Sequence, residues 1–170
     1  MDSGPLPDGH VSEVEVRSFR PDDPEDLAFV LDQARRIATG TPVWFSPDAV
    51  ISATQRDLTA AVQNDSGAAF VVLAVDTNHN RLGFVYALAT DSPFTGAPSV
   101  HVSDIVVATE AEGRGIGRLL LEAAETWARS RGAATMSLHV FESNTRARGL
   151  YERIGFKGES RRLVKPLRRD

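Results

Sequence analysis

The sequence predicts a mixed α/β fold, and three observations lead to this prediction. Short apolar or alternating segments of strand length occur along the whole chain. Longer segments with apolar residues at helical spacing separate them, and a strand–helix–strand–helix order is confined to the C-terminal half. The length of 170 residues favours one domain. We therefore expect residues 13–170 to form that domain and residues 1–12 to form a flexible tail.

The N-terminal half contains signals for one strand, two helices and a hairpin. Alternating polar and apolar side chains at 13–19 are typical of a half-buried strand. Asp23 and Pro24 supply cap and first-turn residues for the first helix, and Gly40 ends it. The predicted bounds are 13–19 for the strand, 22–39 and 46–64 for the helices, and 68–75 and 82–89 for a hairpin with its turn at 78–80.

The C-terminal half alternates strands with helices. Its predicted bounds are 100–108 (strand), 115–131 (helix), 134–141 (strand), 144–154 (helix) and 156–167 (final strand region). The helix at 115–131 has the clearest pattern, since its apolar residues recur at i, i+3, i+4 and i+7. Arg131 and Gly132 end it with a cation and a C-cap glycine.

Composition excludes several classes of protein. Hydrophobic residues make up 42% and charged residues 25%, which is typical of a soluble globular protein. No apolar run approaches the roughly 18 residues that a membrane span needs, and the N-terminus lacks the pattern of a signal peptide. A chain without cysteine forms no disulfide, thiolate metal site or cysteine nucleophile, and four scattered histidines do not predict a metal centre. We expect a cytoplasmic protein.

The charge is distributed unevenly. Residues 1–112 carry a net charge of −11 and residues 113–170 a net charge of +7. This asymmetry is either a chance property of solvated helix faces or a sign that the C-terminal part binds a polyanion and the N-terminal part faces a cation. Nucleic acid does not fit as that polyanion, because the whole protein is acidic and only 7% of its residues are aromatic.

Three glycines, Gly113, Gly115 and Gly117, follow an apolar strand and open a helix. Glycines let the backbone approach a ligand closely. The unpaired N–H groups of a first helical turn, together with the helix dipole, bind anions. The turn therefore predicts a phosphate or pyrophosphate site, and a tight turn without a ligand is the alternative.

Two other phosphate-binding motifs do not match this turn. A Walker loop requires Lys followed by Ser or Thr, and the chain contains no such pair. A dinucleotide fingerprint requires a third glycine where Arg118 or Leu120 stands. Glu142 could imitate its ribose-binding acid, but fewer than thirty residues follow, too few to complete a doubly wound sheet.

Two segments resemble the signature blocks of the GNAT superfamily of N-acetyltransferases. Residues 105–117 resemble the acetyl-CoA block, which reads hydrophobic-x-Val, then Pro, then Arg/Gln-x-x-Gly-x-Gly/Ala. Residues 144–156 match the second block, Asn-x-x-Ala-x-x-Leu-Tyr-Glu-x-x-Gly-Phe, at every specified position. Two residues depart from the pattern, because Thr109 replaces the proline and Glu112 replaces the Arg or Gln.

This resemblance implies the GNAT fold, a central, mostly antiparallel sheet that is flanked by helices and splayed between strands 100–108 and 134–141. It implies acetyl-CoA as the acyl donor. The backbone of Ile105, Val106 and Val107 should pair with the pantetheine arm, and Asn144 should hydrogen-bond that arm. The pyrophosphate should lie on the amides of Gly113, Arg114, Gly115, Ile116, Gly117 and Arg118. Asn144 also suits the N-cap of the following helix, and the two roles are compatible.

The resemblance also implies catalytic residues. Tyr151 lies two helical turns after Asn144 and should also contact the cofactor. Its hydroxyl would protonate the leaving thiolate. The alternative is that Tyr151 only packs beside Leu150 and Phe156. The base that deprotonates the amine would be His101, Asp104 or a group reached through water. Without cysteine, direct transfer in a ternary complex is expected.

The acceptor is expected to be a small-molecule or peptide amine, and the charge distribution suggests that it is cationic. A homodimer is left open. Trp44 and Phe45 either line the acceptor pocket or fill the core. Two other functions stay open at this point: a GNAT-fold module that binds acetyl-CoA without turnover, and a regulatory domain that binds adenylate or phosphate.

Overall fold

A computed structural model of the protein describes residues 14–38, 41–63 and 67–167. Its helices and strands are β1 (Glu15–Ser18), α1 (Pro24–Ile37), α2 (Pro47–Gln63), β2 (Ala69–Val75), β3 (Arg81–Asp91), β4 (Pro98–Val107), α3 (Ile116–Ser130), β5 (Thr135–Leu138) and α4 (Thr145–Arg153). A short 3₁₀ turn, Thr109–Ala111, precedes α3. The expected tail at 1–12 and the expected ends of the first two helices, at 39–40 and 64, lie outside the described residues. None of the helices in the described ranges combines the length and the apolar character that crossing a bilayer requires.

The five strands form one mixed sheet in the order β1-β2-β3-β4-β5. The first three pairings are antiparallel, and β4 pairs with β5 in parallel. The parallel pairing starts at Ser99 opposite Thr135 and ends at Val102 opposite Leu138. Because β4 continues to Val107, its last residues have β3 on one side and no strand on the other. The predicted mixed sheet, opening between these two strands, is confirmed.

A β-bulge interrupts β4 beside this opening. Tyr86 of β3 pairs with Asp104, whereas Ala87 pairs with Val102, so Ser103 is the extra residue. A bulge changes which way the following side chains point. Val102 packs on the α3 side of the sheet, and Asp104 lies opposite Tyr86, which belongs to the core on the other side.

Helices cover both faces of the sheet and produce two hydrophobic cores. One core lies under α3, whose residues Ile116, Leu120 and Ala124 pack on the sheet. The other lies under α1 and α2, with Val30 and Leu58 fully buried against β2 and β3. In α1 and α3 the buried apolar positions follow the helical spacing of apolar residues.

The predicted final strand at 156–167 is wrong. Residues 156–167 form no strand, and Leu163 and Leu167 are each 83% exposed. The segment carries several basic side chains together with Gly158 and Pro166, and it lacks an alternating apolar face that a sheet could bury. The strand predicted at 134–141 is likewise shorter, Thr135–Leu138, because the chain is exposed again from His139 onward.

Asp26, in the first turn of α1, is completely buried in an ion-pair cluster. Arg17 of β1 donates two hydrogen bonds to its carboxylate, at 2.6 and 2.7 Å, and Arg81 of β3 donates one at 2.8 Å. The backbone N–H of Arg20 adds a fourth bond at 3.1 Å. Burial alone would raise the pKa of Asp26, but these hydrogen bonds outweigh it and lower the pKa to about 2.

Replacing Asp26 should strongly destabilise the fold. Asp26→Asn leaves two partly buried guanidinium groups without their carboxylate, which typically costs about 3–5 kcal/mol of unfolding free energy. Urea unfolding at pH 7 measures this. For the wild type, the lowered pKa means that the stabilisation is present above about pH 4 and is lost as the pH falls through about 2.

Asp32→Asn provides the control, because Asp32 belongs to the same helix and its side chain is 72% exposed, 4.0 Å from Arg35. It should change the unfolding free energy by less than about 0.5 kcal/mol. Similar urea midpoints for the two variants would contradict a structural role for the Asp26 cluster.

Candidate active site

The free edge of β4 is the first element of the site. Ala108 N–H donates to the Leu82 carbonyl of the neighbouring chain segment at 2.8 Å. Because peptide groups alternate along a strand, Val106 also directs its N–H and C=O to β3, and Ile105 and Val107 direct theirs away from β3. Those groups face the opening that β5 does not fill. Of the three predicted residues, Ile105 and Val107 therefore present peptide groups that no described strand pairs with.

Gly83 keeps β3 close to this part of β4. A Cβ atom at Gly83 would lie 2.6 Å from the Val106 carbonyl oxygen and 3.2 Å from the Val107 Cα. Both are backbone atoms of the strand that presents the free edge, so a larger residue at this position would have to displace it.

The glycine turn and the first turn of α3 are the second element. Gly113 and Gly115 have φ angles of 79° and 81°, which side chains disfavour, and Gly115 is the N-cap. The first backbone bond of the helix runs from Leu119 N–H to the Gly115 carbonyl at 3.1 Å. The N–H groups of residues 116–118 precede it, as the predicted anion site requires.

The third glycine of the motif has a different role. A Cβ atom at Gly117 would lie 3.2 Å from Leu150 Cδ2 and 3.6 Å from Val107 Cγ2. At Gly115 a Cβ atom would meet nothing within 4 Å. Gly117 thus allows α3 to pack closely on α4 and β4, and the open space beside the turn lies at Gly113 and Gly115.

α4 contributes Asn144 and Tyr151. Asn144 is the N-cap, as the sequence suggested, and its Oδ1 accepts a hydrogen bond from Ala147 N–H at 3.1 Å. No described residue accepts a hydrogen bond from its Nδ2. Tyr151 is half-buried against the α3-side core, and its ring meets Phe156 edge to face at 5.8 Å. Burial raises the pKa of Tyr151, so its hydroxyl keeps its proton at neutral pH.

The two predicted base candidates lie on the other side of the sheet. Asp104 pairs with Tyr86, and His101 pairs with Leu88, and both partners belong to the core under α1 and α2. Among the described residues, none donates a hydrogen bond to the Asp104 carboxylate. Burial and the negative charge of Asp57 raise the pKa of Asp104 to about 6.

His101 has a different environment. Its Nδ1 is 3.0 Å from Ser137 Oγ, and its ring lies 4.8 Å from that of His139. Burial, and then the neighbouring His139, lower the pKa of His101. Within the described part of the chain, the Asp104 carboxylate has no hydrogen-bonding partner, whereas the His101 ring is bonded to Ser137.

Three exposed aromatic side chains form a cluster between the α1–α2 loop and the segment after β5. The ring of Phe45, in the loop between α1 and α2, lies 6.3 Å from Trp44 and 6.4 Å from Phe141, which follows β5. Trp44 is 48% exposed and Phe45 is 41% exposed. The interpretation that they fill the core is therefore wrong, and their role in lining the acceptor pocket stays a prediction. Phe141 was not singled out from the sequence as a neighbour of these rings.

Glu112, the residue that departs from the family pattern, is held by two arginines. Arg36 of α1 and Arg146 of α4 each form an ion pair with its carboxylate. Arg36 also donates to Thr109 Oγ1, the other departure from the pattern. The hydrogen bond from Arg146, and then the contact with Arg36, lower the pKa of Glu112. Sequence reasoning missed both arginines, and a separation of 76 residues left no local signal for the contact of Arg36 with Glu112.

Comparison with protein families gives a direct match. The model of the acetyltransferase (GNAT) family matches residues 31–156. Among curated proteins, the mycothiol acetyltransferase of Salinispora arenicola is 35% identical over 156 residues, covering 89% of this chain and 46% of its own length. The mycothiol acetyltransferase of Rhodococcus erythropolis is 33% identical over 162 residues, covering 92% of this chain and 51% of its own length. The chain thus spans about half the length of the curated relatives it matches.

Solved structures agree on the fold. A putative acetyltransferase from Pyrococcus furiosus superposes with a TM-score of 0.73 at 24% identity, covering 91% of this chain and all of that one. An aminoglycoside N-acetyltransferase in complex with CoA superposes with a TM-score of 0.68 at 20% identity, covering 96% of this chain and 99% of that one.

Proposed function

The chain belongs to the GNAT family of acetyltransferases, and from this membership we propose that it transfers an acetyl group from acetyl-CoA directly to a primary amine. The acceptor is a small molecule or peptide, and both substrates are bound at once. Acetyl-CoA supplies the acetyl thioester and a thiolate leaving group. Homodimer formation and a cytoplasmic location stay predictions from the sequence.

The opening between β4 and β5 carries this proposal. The free peptide groups of Ile105 and Val107 suit an extended amide-containing arm, which would bind them as a neighbouring strand does. The first-turn N–H groups of α3 follow directly along the chain and suit the pyrophosphate. Asn144 Nδ2 supplies a further donor at the start of α4. Together these features support the proposal that the donor binds at this opening.

Asp104 is the base that we assign. An acceptor amine is mostly protonated at neutral pH and must lose a proton before it attacks. With a pKa of about 6 and no hydrogen-bonding partner among the described residues, the Asp104 carboxylate is ionised at neutral pH and free to accept that proton. His101, which is already bonded to Ser137, is the less favoured candidate.

Tyr151 is the acid that we assign. It lies on the α3 side of the sheet, and Asp104 lies on the opposite side. In this proposal the acetyl group lies at the opening at the end of β4, between the two sides. A proton is therefore taken up by Asp104 on the acceptor's side, and another is released by the Tyr151 hydroxyl towards the departing sulfur.

The acceptor side favours a cationic amine. Asp57 and Asp104 both contribute negative charge near Tyr86, and the exposed rings of Trp44, Phe45 and Phe141 are suited to contact with an ammonium group. Relatives are named for mycothiol and for aminoglycosides. Small amines of these two chemical types are therefore the first acceptors to examine.

Ligand-induced stabilisation tests the donor site. Acetyl-CoA at about 100 times its Kd should stabilise the folded protein by roughly 2.7 kcal/mol, because it binds the native state alone. Thermal unfolding with acetyl-CoA, NAD or ATP at equal concentration measures this, and NAD and ATP should have much smaller effects. Equal shifts from all three ligands would contradict the proposed donor.

Thiol release tests turnover. Free CoA, detected with a thiol reagent, should accumulate when acetyl-CoA is incubated with an amine panel of aminoglycosides, polyamines, amino sugars and peptides. Its rate should depend on the amine. Binding of acetyl-CoA without amine-dependent release would instead indicate a module that binds the donor without catalysis.

A further inference from the structure

The clamp formed by Arg36, Glu112 and Arg146 joins three separate parts of the fold. Glu112 directly precedes the glycine turn, Arg36 lies near the end of α1, and Arg146 lies in the first turn of α4. Each arginine contacts a different carboxylate oxygen, Oε1 for Arg36 and Oε2 for Arg146. One carboxylate therefore gathers two cations beside the predicted anion site.

Electrostatics explains why these cations matter. A lone carboxylate one residue before the turn would repel phosphate groups bound at the first turn of α3. With both arginines, the clamp carries a net charge of +1 instead. Glu112, which stands where the family pattern has Arg or Gln, is thereby compatible with an anionic ligand.

The two arginines differ in what else holds them. The Arg36 side chain is 36% exposed and also donates to Thr109 Oγ1, so two contacts fix it to the turn. The Arg146 side chain is 69% exposed, and Glu112 is its ion-pair partner in the clamp. Arg146 also lies only two residues after Asn144, in the first turn of α4. Arg146 is thus the cation that is able to reorient towards a ligand.

We propose that Arg146 binds a phosphate group of the donor, exchanging the Glu112 carboxylate for a phosphate oxygen when the donor enters, while Arg36 keeps Glu112 in place. This inference rests on the proposed function, since it presumes that CoA binds at the glycine turn. It adds a side-chain contact that the signature blocks do not specify.

Calorimetric titration with CoA tests the proposal. Arg146→Gln should weaken CoA binding about ten- to hundredfold, as expected for loss of a charge-assisted hydrogen bond. Arg129→Gln is the matched control, because Arg129 forms a comparable exposed pair with Glu125 at the other end of α3. It should leave the Kd unchanged. Equal Kd values for Arg146→Gln and the wild type would overturn the proposal.

Titration with 3′-dephospho-CoA identifies which phosphate is bound. If Arg146 contacts the 3′-phosphate, Arg146→Gln should weaken CoA binding and leave 3′-dephospho-CoA binding unchanged. If it contacts the pyrophosphate, both ligands should lose affinity equally. Loss of affinity for neither ligand overturns the proposal.

Glu112→Gln tests the exchange itself. It keeps the size of the side chain and removes the charge that competes with phosphate for Arg146, so CoA should bind severalfold more tightly. Unchanged or weaker binding would overturn the exchange. Failure of the proposed function is distinguishable, because in that case the wild type itself would not bind CoA.

Discussion

Asp104→Asn is expected to lower kcat/KM for the best amine by about 10²–10⁴, the usual contribution of general acid–base catalysis. The amide has nearly the same shape as the carboxylate but does not accept the proton of an ammonium group. Affinity for CoA should be unchanged, since the side chain lies on the opposite side of the sheet from the Tyr151 side.

The pH profile makes this test specific. Because the pKa of Asp104 is about 6, wild-type kcat/KM should rise with pH through that value and then level off. Asp104→Asn should remove this rise, whereas His101→Gln should retain it. If the rise persists in Asp104→Asn and disappears in His101→Gln, the base is His101.

The same substitution should stabilise the protein. Folding raises the pKa of Asp104 to about 6, so the folded protein favours the protonated carboxyl group. The free energy of unfolding is therefore highest below about pH 4 and decreases as the pH rises through about 6. At pH 8 the variant avoids the cost of the buried charge and should be more stable than the wild type by up to about 3 kcal/mol. At pH 4 the two proteins should unfold alike. Asp91→Asn, at the exposed end of β3, should show no such pH-dependent gain.

Tyr151→Phe should lower kcat by about 10²–10⁴, with the lower end expected because a thiol with a pKa near 8.5 leaves tolerably without a proton. The loss should shrink as the pH approaches that value. Fold and CoA affinity should change little, since phenylalanine keeps the ring that meets Phe156. Steady-state rates between pH 6.5 and 9 measure the effect.

An unchanged kcat across that range would make Tyr151 a packing residue, and the thiolate would then take its proton from solvent. Urea unfolding of the variant provides the control. A large loss of stability would mean that the hydroxyl, which has no hydrogen-bonding partner among the described residues, contributes to folding in some other way.

Local sequence patterns predicted much of the fold. The helix predicted at 115–131 is observed at Ile116–Ser130, and the one predicted at 144–154 at Thr145–Arg153. In both cases the apolar spacing and the capping residues are near neighbours in the chain, so the signal is local. The residues proposed for the donor side were identified from the sequence for the same reason, because the two motifs that contain them are continuous segments.

Interactions between distant residues were not predictable. The Ser103 bulge, which places Asp104 on the Tyr86 side of the sheet, depends on register between strands. The contacts of Glu112 with Arg36 and of Asp26 with Arg17 and Arg81 depend on how helices lie on the sheet. The strand predicted at 156–167 is not formed, and its basic side chains, Gly158 and Pro166 leave no alternating apolar face for a sheet to bury.

The close approach of β3 and β4 at Gly83 has a consequence for engineering the enzyme. Any side chain at this position must push back the Val106 carbonyl, 2.6 Å from the new Cβ, and the strand edge next to it. A library that randomises Gly83 would therefore consist largely of proteins with a displaced β4 edge, where we propose that the donor binds. The exposed rings of Trp44, Phe45 and Phe141 carry no such restriction. Under the proposed function, amine preference would accordingly be diversified at those three rings, and the strand edge proposed to bind the pantetheine arm would stay as it is.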